Sequence, residues 1–407
     1  MIRLLKKYGM SLTRFYSSFN CLLVVFARFW GHICDVGMNW TQKGEAPRRF
    51  DGSDVGPLGL SAAGSFASSG SDAARLQYYQ VLKKTLRLGL AVLGLWTAFA
   101  AGAQAQETSM ALLQMPVDAR ALSLGDGVAA LDNGVNSMAD NPAGLAHLSG
   151  KELGTLYGAQ MDGMNMGFLA YAQNTPLGTL GVSYLTLLSG SIDGRNDAGI
   201  QTGSFHAQDS AIGLSYGRGF GGAADGTDSP VRVGVNAKYV NSTIGSYSAS
   251  AFAADLGAQA SVNSGDLPLT CGLVMRNIGS GLRYADVTEP LPLSTTLALS
   301  AKPQKMFQLS AGVTQSWRDH QTQGSVGVEI TPFNGVALRG SWGLSRAGLS
   351  GQTQVNLAGG IGLRLSLVTV DYAMAPMGDL GMEQRLNLTF RFGGPRAGAE
   401  APTLGTK

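Results

Sequence analysis

The sequence has 407 residues, of which 57 are glycine, about twice the usual share. Only 14% of the residues are charged, and the formal net charge is +3. This low charge excludes a disordered chain and a nucleic-acid-binding protein of the ordinary type. Collagen is excluded because glycine does not recur at every third position, and three cysteines cannot form a disulfide framework.

Residues 81–105 have the layout of a secretory signal peptide. Three basic residues precede an apolar run over 88–100, and Ala103-Gln104-Ala105 is a small-x-small cleavage site. The run is shorter than the roughly 20 apolar residues of a transmembrane helix; a buried core helix is the alternative. We therefore predict that cleavage follows Ala105.

Residues 1–80 show no sustained period of a helix or strand. We interpret them as an extension absent from the mature protein, with translation starting near Val81 or Leu82. The alternative is a cytoplasmic extension or a membrane-anchored segment. Cleavage after Ala105 leaves 302 residues, with 18 basic and 22 acidic side chains and a net charge of −4. Only Cys271 remains, so the mature chain has no intramolecular disulfide.

From residue 151 onward, apolar and polar residues alternate with a period of two, which is typical of strands with two different faces. In 231–240, for example, valine, alanine and tyrosine alternate with arginine, glycine, asparagine and lysine. Fourteen such segments follow one another. They cover approximately 151–160, 165–174, 178–189, 208–219, 230–241, 249–262, 267–277, 292–301, 306–318, 321–331, 335–344, 353–364, 367–376 and 383–393.

An even number of long alternating strands behind a signal peptide predicts an all-β protein, a transmembrane antiparallel β-barrel of about 14 strands in the outer membrane of a Gram-negative bacterium. Gaps after odd-numbered segments, such as 190–207 and 278–291, are long, whereas most gaps after even-numbered segments are short. Outer-membrane barrels have short periplasmic turns, so both termini are expected in the periplasm. A secreted β-sandwich or solenoid is the alternative. Tight turns and a lipid-facing wall explain the glycine excess and the low charge.

The mature N-terminus carries a motif that resembles the PorV/PorQ family, a branch similar to the FadL-like outer-membrane transporters. The motif consists of Ala119, Arg120, Gly125, Gly127, Asn141, Pro142, Ala143 and Gly144. The run Pro290–Leu293 and the end of the last strand, 386–392, also resemble this family. Two features depart from it. Asp126 separates the paired glycines, and the chain continues for fifteen residues past Phe392.

The resemblance implies a domain organisation and two functions. It predicts an N-terminal segment over 106–150 (the hatch) inside a barrel over 151–393, followed by a periplasmic tail over 394–407. FadL-like members move hydrophobic small molecules, and PorV/PorQ-like members serve type IX protein secretion as accessory barrels. Asn141-Pro142 fits a simple turn, since proline disfavours helix in the preceding residue, and it equally fits a gating role.

The sequence offers little chemistry. His147, His206 and His320 have no partner at metal-ligand spacing, so we expect neither a metal nor a cofactor. Cys271 alternates with apolar residues and is expected to face lipid rather than act as a nucleophile. No nucleophile-elbow or phosphate-loop motif is present. We therefore expect a protein that is not an enzyme.

Charged residues fall on the predicted lumen face of the strands. They are Arg232, Lys238, Asp255, Arg276, Arg318, Glu329, Arg339, Arg364, Asp371, Arg385 and Arg391. Asp371 lies between Arg364 on one side and Arg385 or Arg391 on the other, which favours cross-strand pairs that brace the interior. A lining that grips the hatch or selects solutes is the alternative.

Three functional hypotheses follow: a channel for hydrophobic solutes, an accessory barrel that binds secretion partners, and an outer-membrane enzyme for which no catalytic set is found. The expected partners are outer-membrane lipid and lipopolysaccharide, the barrel-assembly machinery, and either secretion-system proteins or hydrophobic solutes, with no nucleic acid. Apolar residues in the long gaps, such as Ile192, Ile200 and Tyr284, suit lids or docking as well as ordinary packing of the loops.

Overall fold

The computed structural model describes residues 110–160, 163–196, 198–221, 229–264, 267–284, 287–346, 353–378 and 381–393. The predicted extension, signal peptide and C-terminal tail lie outside these residues. In the described part of the chain, no helix is both long and apolar enough to cross a membrane.

Fourteen antiparallel strands form a closed barrel, which confirms the predicted fold class. They are β1 (Lys151–Ala159), β2 (Asn165–Thr175), β3 (Gly178–Leu188), β6 (Ala207–Phe220), β7 (Val231–Ile244), β8 (Tyr247–Ser264), β9 (Leu267–Gly279), β12 (Ser294–Gln304), β13 (Phe307–Ser316), β14 (Gln321–Phe333), β15 (Val336–Arg346), β16 (Thr353–Arg364), β17 (Val368–Pro376) and β18 (Met382–Phe392). Each strand pairs with the next one along the chain, and β1 pairs with β18, from Lys151↔Phe392 to Ala159↔Gln384.

Two small hairpins lie outside the barrel sheet, within gaps that the sequence predicts only as loops. The first joins β4 (Ile192–Arg195) to β5 (Gln201–Phe205), and the second joins β10 (Leu282–Tyr284) to β11 (Val287–Glu289). Both stand at the end of the barrel that carries the long connections 189–206 and 280–293, which we call the loop end. The opposite end, where residues 176–177, 305–306 and 334–335 connect strands, is the turn end.

The alternation along each strand separates two faces. Outward side chains in the middle of the strands are apolar and exposed, as in Leu214, Val235, Leu256, Leu273 and Leu357. Inward side chains are mostly buried, since the hatch fills the lumen. An apolar outer wall around satisfied backbone hydrogen bonds is what a lipid environment requires of a sheet.

The hatch is built from short helical turns. Helices α1 (Ala119–Leu124) and α2 (Ser137–Asp140) alternate with 3-10 helices over Ala111–Gln114, Gly125–Ala130, Gly134–Asn136 and Pro142–His147. The described hatch begins at the loop end, where the Leu113 carbonyl lies 3.5 Å from the Asn277 amide and Gln114 bonds Asp319. It reaches β1 at the turn end, so it runs the length of the lumen.

Candidate functional site: the hatch and the lumen

Two polar residues of the hatch shape its turns. Asp118 caps α1, and its carboxylate accepts a hydrogen bond from the Ala121 amide at 2.5 Å. Asn141 caps the last 3-10 helix by accepting from the Ala143 amide at 3.1 Å, with Pro142 in the first turn where its missing N–H costs nothing. The Asn-Pro motif therefore acts locally as a helix cap.

Asn141 also ties this turn to its surroundings. Its side-chain amide donates to the Ala129 carbonyl at 2.8 Å within the hatch and to the Ala258 carbonyl of β8 at 3.3 Å. Asn141 is 1% exposed. A buried amide with three hydrogen bonds is costly to displace, so the motif holds the hatch against the wall as well as forming a turn.

Arg120, the basic residue of the motif, starts a chain of charges that crosses to the wall. It donates to both carboxylate oxygens of Glu329 on β14, at 3.0 and 3.1 Å, and also bonds the Asp132 carbonyl within the hatch. Glu329 in turn accepts from Arg339 on β15 at 2.6 Å, and Arg339 donates to Asp371 on β17 at 2.6 Å. The two-pronged contact fixes the orientation of α1 as well as its position.

The partner of Asp371 differs from the expected ones. Asp371 binds Arg339, two strands away, rather than Arg364, Arg385 or Arg391. The reason is Gly362 on the intervening strand β16. A Cβ at Gly362 would lie 2.5 Å from the Asp371 carboxylate and 2.7 Å from the Arg339 guanidinium. Without a side chain there, Arg339 reaches across β16.

The remaining predicted lumen charges form separate pairs or stand at the ends. Lys238 binds Asp255 at 2.7 Å, Arg391 binds Glu152 at 2.8 Å, Arg385 binds Glu383, and Arg232 donates to Ser261 at 2.6 Å. Arg276 faces the lumen. Arg318 lies in the connection between β13 and β14, beyond the strand that was predicted to contain it, and Arg364 is exposed at the turn end.

A belt of inward-facing glycines gives the hatch its room. Among the described residues, nine barrel strands carry a glycine at which a Cβ would come within 2.9 Å of a hatch atom. These belt glycines are Gly154, Gly181, Gly217, Gly234, Gly257, Gly272, Gly312, Gly327 and Gly360. At Gly257, for example, the nearest atom would be the Asn141 side-chain oxygen at 2.0 Å. The glycine excess is predicted to serve tight turns and the outer wall. The structure adds a third use, because the belt glycines leave room in the lumen for the hatch.

The loop half of the lumen is divided into two sectors, one apolar and one of mixed polarity. Over β1–β3 and β6–β8 the inward side chains form an apolar sector: Leu156, Met166, Phe168, Ala170, Leu185, Leu187, Ala211, Val240, Ala249, Ala251 and Ala253. The alternation pattern does not predict this sector, although the inward positions at the loop-end halves of β2 and β3 are apolar. The start of the hatch fills this sector with Leu112, Leu113 and the half-buried Met115.

The other sector contains a cavity of about 250 Å³ between the hatch and β9–β18. Its lining is mixed. Polar groups come from Asp126 and Asp140 of the hatch and from Arg276, Gln323, Ser325, Asn356 and Glu383 of the wall, and apolar surface comes from Leu122, Val128, Ala358, Ala375 and Met377. The cavity is therefore suited to an amphipathic occupant.

This cavity reaches the barrel wall at an incomplete seam. β16 and β17 pair only from Gly359↔Met374 to Arg364↔Thr369, so Thr353–Ala358 lacks a partner on β17 among the described residues. β15, by contrast, pairs with β16 as far as Thr353. Leu357 lines the cavity although it belongs to the outward face, and it is 51% exposed. The cavity thus reaches the unpaired stretch of β16 beside β17 in the loop half.

Pro376 explains why the seam stops. In β17 the Met377 amide donates to Gly381 on the β18 side, and the Val368 carbonyl accepts from Leu365 on the β16 side. Because donors alternate sides along a strand, position 376 should donate toward β16. Proline has no N–H to donate, and it disrupts a ladder wherever it stands inside a sheet.

The described residues contain no cluster of His, Cys, Asp and Glu that could hold a metal ion. His147 pairs with Asp132 at 2.8 Å, and His206 and His320 lie in connections at the loop end. Cys271 is exposed on the outer face of β9, where Leu269 and Leu273 are its neighbours on the same face. These four residues therefore form no common site.

Comparisons with known proteins concern the fold. No protein-family model matches the sequence, and no curated protein does. The crystal structure of the Pseudomonas putida toluene transporter TodX is 12% identical, with a TM-score of 0.48 over 67% of this chain and 96% of that chain. A mutant described as the TodX monoaromatic hydrocarbon channel has 12% identity and a TM-score of 0.50, over 70% and 100%.

A Pseudomonas aeruginosa FadL homologue is similar too, at 10% identity and a TM-score of 0.46 over 68% of this chain and 98% of that one. At such low identity the likeness to these barrels is one of fold. The fold of this chain is that of an outer-membrane β-barrel with a hatch in its lumen.

Proposed function

We propose that this protein is a non-enzymatic channel for hydrophobic small molecules in the outer membrane of a Gram-negative bacterium. The observation that carries the proposal is the unpaired seam between β16 and β17, where the 250 Å³ cavity reaches the outward-facing Leu357. We infer that this seam is a sideways opening from the cavity to the apolar outer wall. A hydrophobic solute gains little from crossing an aqueous pore. A gap in the wall lets it leave the lumen directly into hydrocarbon, where its transfer from water is favourable.

The apolar sector supports this reading. It lies in the loop half, and its inward residues would offer hydrophobic contact to a solute that enters from that end. Leu112, Leu113 and Met115 now occupy this space. A solute that enters must therefore displace the start of the hatch. The solute then makes the apolar contacts with the barrel wall that the displaced hatch side chains give up.

The proposed orientation follows from the connections. The loop end, with its two hairpins, faces the cell exterior, and the turn end faces the periplasm, together with Lys151 and Phe392. The apolar outer wall contacts lipid and, on the external side, lipopolysaccharide. Assembly then depends on the machinery that inserts outer-membrane barrels.

Flux of a hydrophobic dye into proteoliposomes tests the proposal, with toluene uptake as a second probe. Ala375→Trp places a large ring in the cavity beside the seam and should lower the flux several-fold. Ala311→Trp, on the outer face of β13, is the matched control and should leave the flux unchanged. Equal flux in both variants and in empty liposomes would overturn the proposal.

A second candidate is an accessory role in type IX protein secretion, as in PorV/PorQ proteins. The observation that favours it is the hairpin of β4 and β5, which carries the exposed Ile192 and Ile200 beyond the barrel rim. Exposed apolar residues on a projecting hairpin suit protein docking. Deleting the gene separates the candidates, because secretion accessories change the surface proteome and a solute channel changes hydrophobic uptake.

A further inference from the structure

Two acidic side chains meet inside the hatch. Asp118 stands before α1 and Asp140 ends α2, and the Asn133 side-chain amide donates to both carboxylates, at 2.5 and 2.6 Å. The two carboxyl groups are buried, with Asp118 1% and Asp140 7% exposed. They therefore hold three separate segments of the hatch together through one shared donor.

We propose that opening of the hatch is linked to a proton: Asp118 and Asp140 keep the hatch closed while the pair holds a proton, and ionisation of both releases it. The inference rests on the proposed function only in assuming that the hatch moves when solutes pass. Two carboxylates that share one amide cannot both be charged in a buried place without strong repulsion.

The charged groups around the pair do not remove this repulsion. Arg120 lies nearby, but its guanidinium donates two hydrogen bonds to Glu329 rather than to the pair. Arg276 of β9 faces Asp140 across the cavity. The acids that face the pair or line the same cavity add further negative charge; they are Asp371 of β17, Asp126 of the hatch and Glu383 of β18.

Burial, followed by the neighbouring Asp118 charge, raises the pKa of Asp140 to about 8. Burial also raises the pKa of Asp118. Asp140 lines the cavity, so its proton can leave to water there. Neutral pH thus lies within the range over which the closed hatch holds a proton that the open hatch would release.

The sign of the effect follows from linkage. When the hatch opens and Asp140 becomes solvated, its pKa returns toward the ordinary 3.8. Between that value and about 8 the closed state binds more protons than the open state, so rising pH favours opening by up to about tenfold per pH unit. The closed state is most stable in acid, and the dependence levels off above the upper value.

Thiol labelling measures opening without any solute. Val135 is fully buried against Gly154 in the closed hatch, and Val135→Cys, in a chain whose native cysteines are replaced by alanine, reports exposure to a water-soluble maleimide. The labelling rate is divided at each pH by the rate of the same protein unfolded in urea, which removes the titration of the thiol itself.

We expect this ratio to rise by about tenfold per pH unit between pH 5 and pH 8. Asp140→Asn mimics the protonated acid and should give a low ratio that does not change with pH. Asp118→Asn removes the like charge, so its rise should end at a lower pH. Heat-modifiable electrophoretic mobility checks that each barrel has folded.

A flat ratio in the parent, or an undiminished rise in Asp140→Asn, would overturn the proton link. Dye flux gives an independent readout in the same preparations. Labelling that depends on pH without any flux leaves the proton link standing and refutes the channel. Dye flux together with labelling that does not change with pH supports the channel and refutes the proton link.

Discussion

Arg120 of the hatch and Glu329 of β14 are joined by two parallel hydrogen bonds of 3.0 and 3.1 Å. This contact links α1 directly to the barrel wall, and it continues through Arg339 to Asp371. The hatch is therefore anchored by charge on one side of the lumen and by close backbone packing around the belt glycines.

Arg120→Gln should loosen the hatch without unfolding the barrel. Removing one partner of a buried ion pair costs roughly 3 kcal/mol. In Arg120→Gln, Glu329 keeps its bond to Arg339 but loses its ion pair with the hatch. Native-state hydrogen exchange of residues 119–147 should show faster opening, with the strands unchanged. Arg195→Gln, whose partner Asp193 is exposed and 3.8 Å away, is the control and should have no effect. Unchanged hatch protection in Arg120→Gln would refute the anchor.

The glycine belt makes a steric prediction. Gly257→Ala brings a Cβ to 2.0 Å from the Asn141 oxygen, and an overpacked contact of this kind costs about 1–3 kcal/mol. Hydrogen exchange should report faster opening of residues 142–147. Gly340→Ala, where the nearest atom would be 3.8 Å away, should match the parent. If both variants behave alike, the belt is not what seats the hatch.

Pro376→Ala should lengthen the seam between β16 and β17. The new N–H faces β16, so pairing can extend toward Leu357, and the sideways opening should narrow. We expect slower amide exchange in residues 353–358 and a lower flux of hydrophobic dye. Pro303→Ala, at the bulge in β12, is the matched control. Exchange that stays fast in Pro376→Ala would show that another feature holds the seam apart.

The lipid-facing wall is tested by placing a charge on it. Leu256 is 53% exposed near the middle of β8, and Leu256→Arg should destabilise the barrel by about 2–4 kcal/mol in a bilayer. Val231→Arg, at the turn end of β7, should cost no more than about 1 kcal/mol. Urea titrations in lipid vesicles give both values, and equal costs would contradict a membrane-spanning wall.

Much of the barrel could be predicted from the sequence because a strand repeats every two residues. Alternation alone gives the strand count and assigns Lys238 and Asp255 to the same face, where they pair. The partner of Asp371 could not be predicted, since it depends on register and on the absence of a side chain at Gly362.

The belt glycines and Pro376 are visible in the sequence, but their roles can be assigned only from the structure. Gly234 and Gly257 fall on the polar face in the sequence pattern, but what they contact depends on how the hatch is threaded. Pro376 at the end of a predicted strand indicates a break in pairing. Whether β16 or β18 loses a hydrogen bond at Pro376 depends on the direction of the backbone N–H groups of β17. That direction cannot be derived from the sequence.

The position of the hatch gives the closing barrel an internal support. Its described part starts at one rim and joins β1 at the other, in contact with strands around the lumen. A sheet that curls around this segment can form those contacts as it closes. The pairing of Lys151 with Phe392 then encloses the hatch.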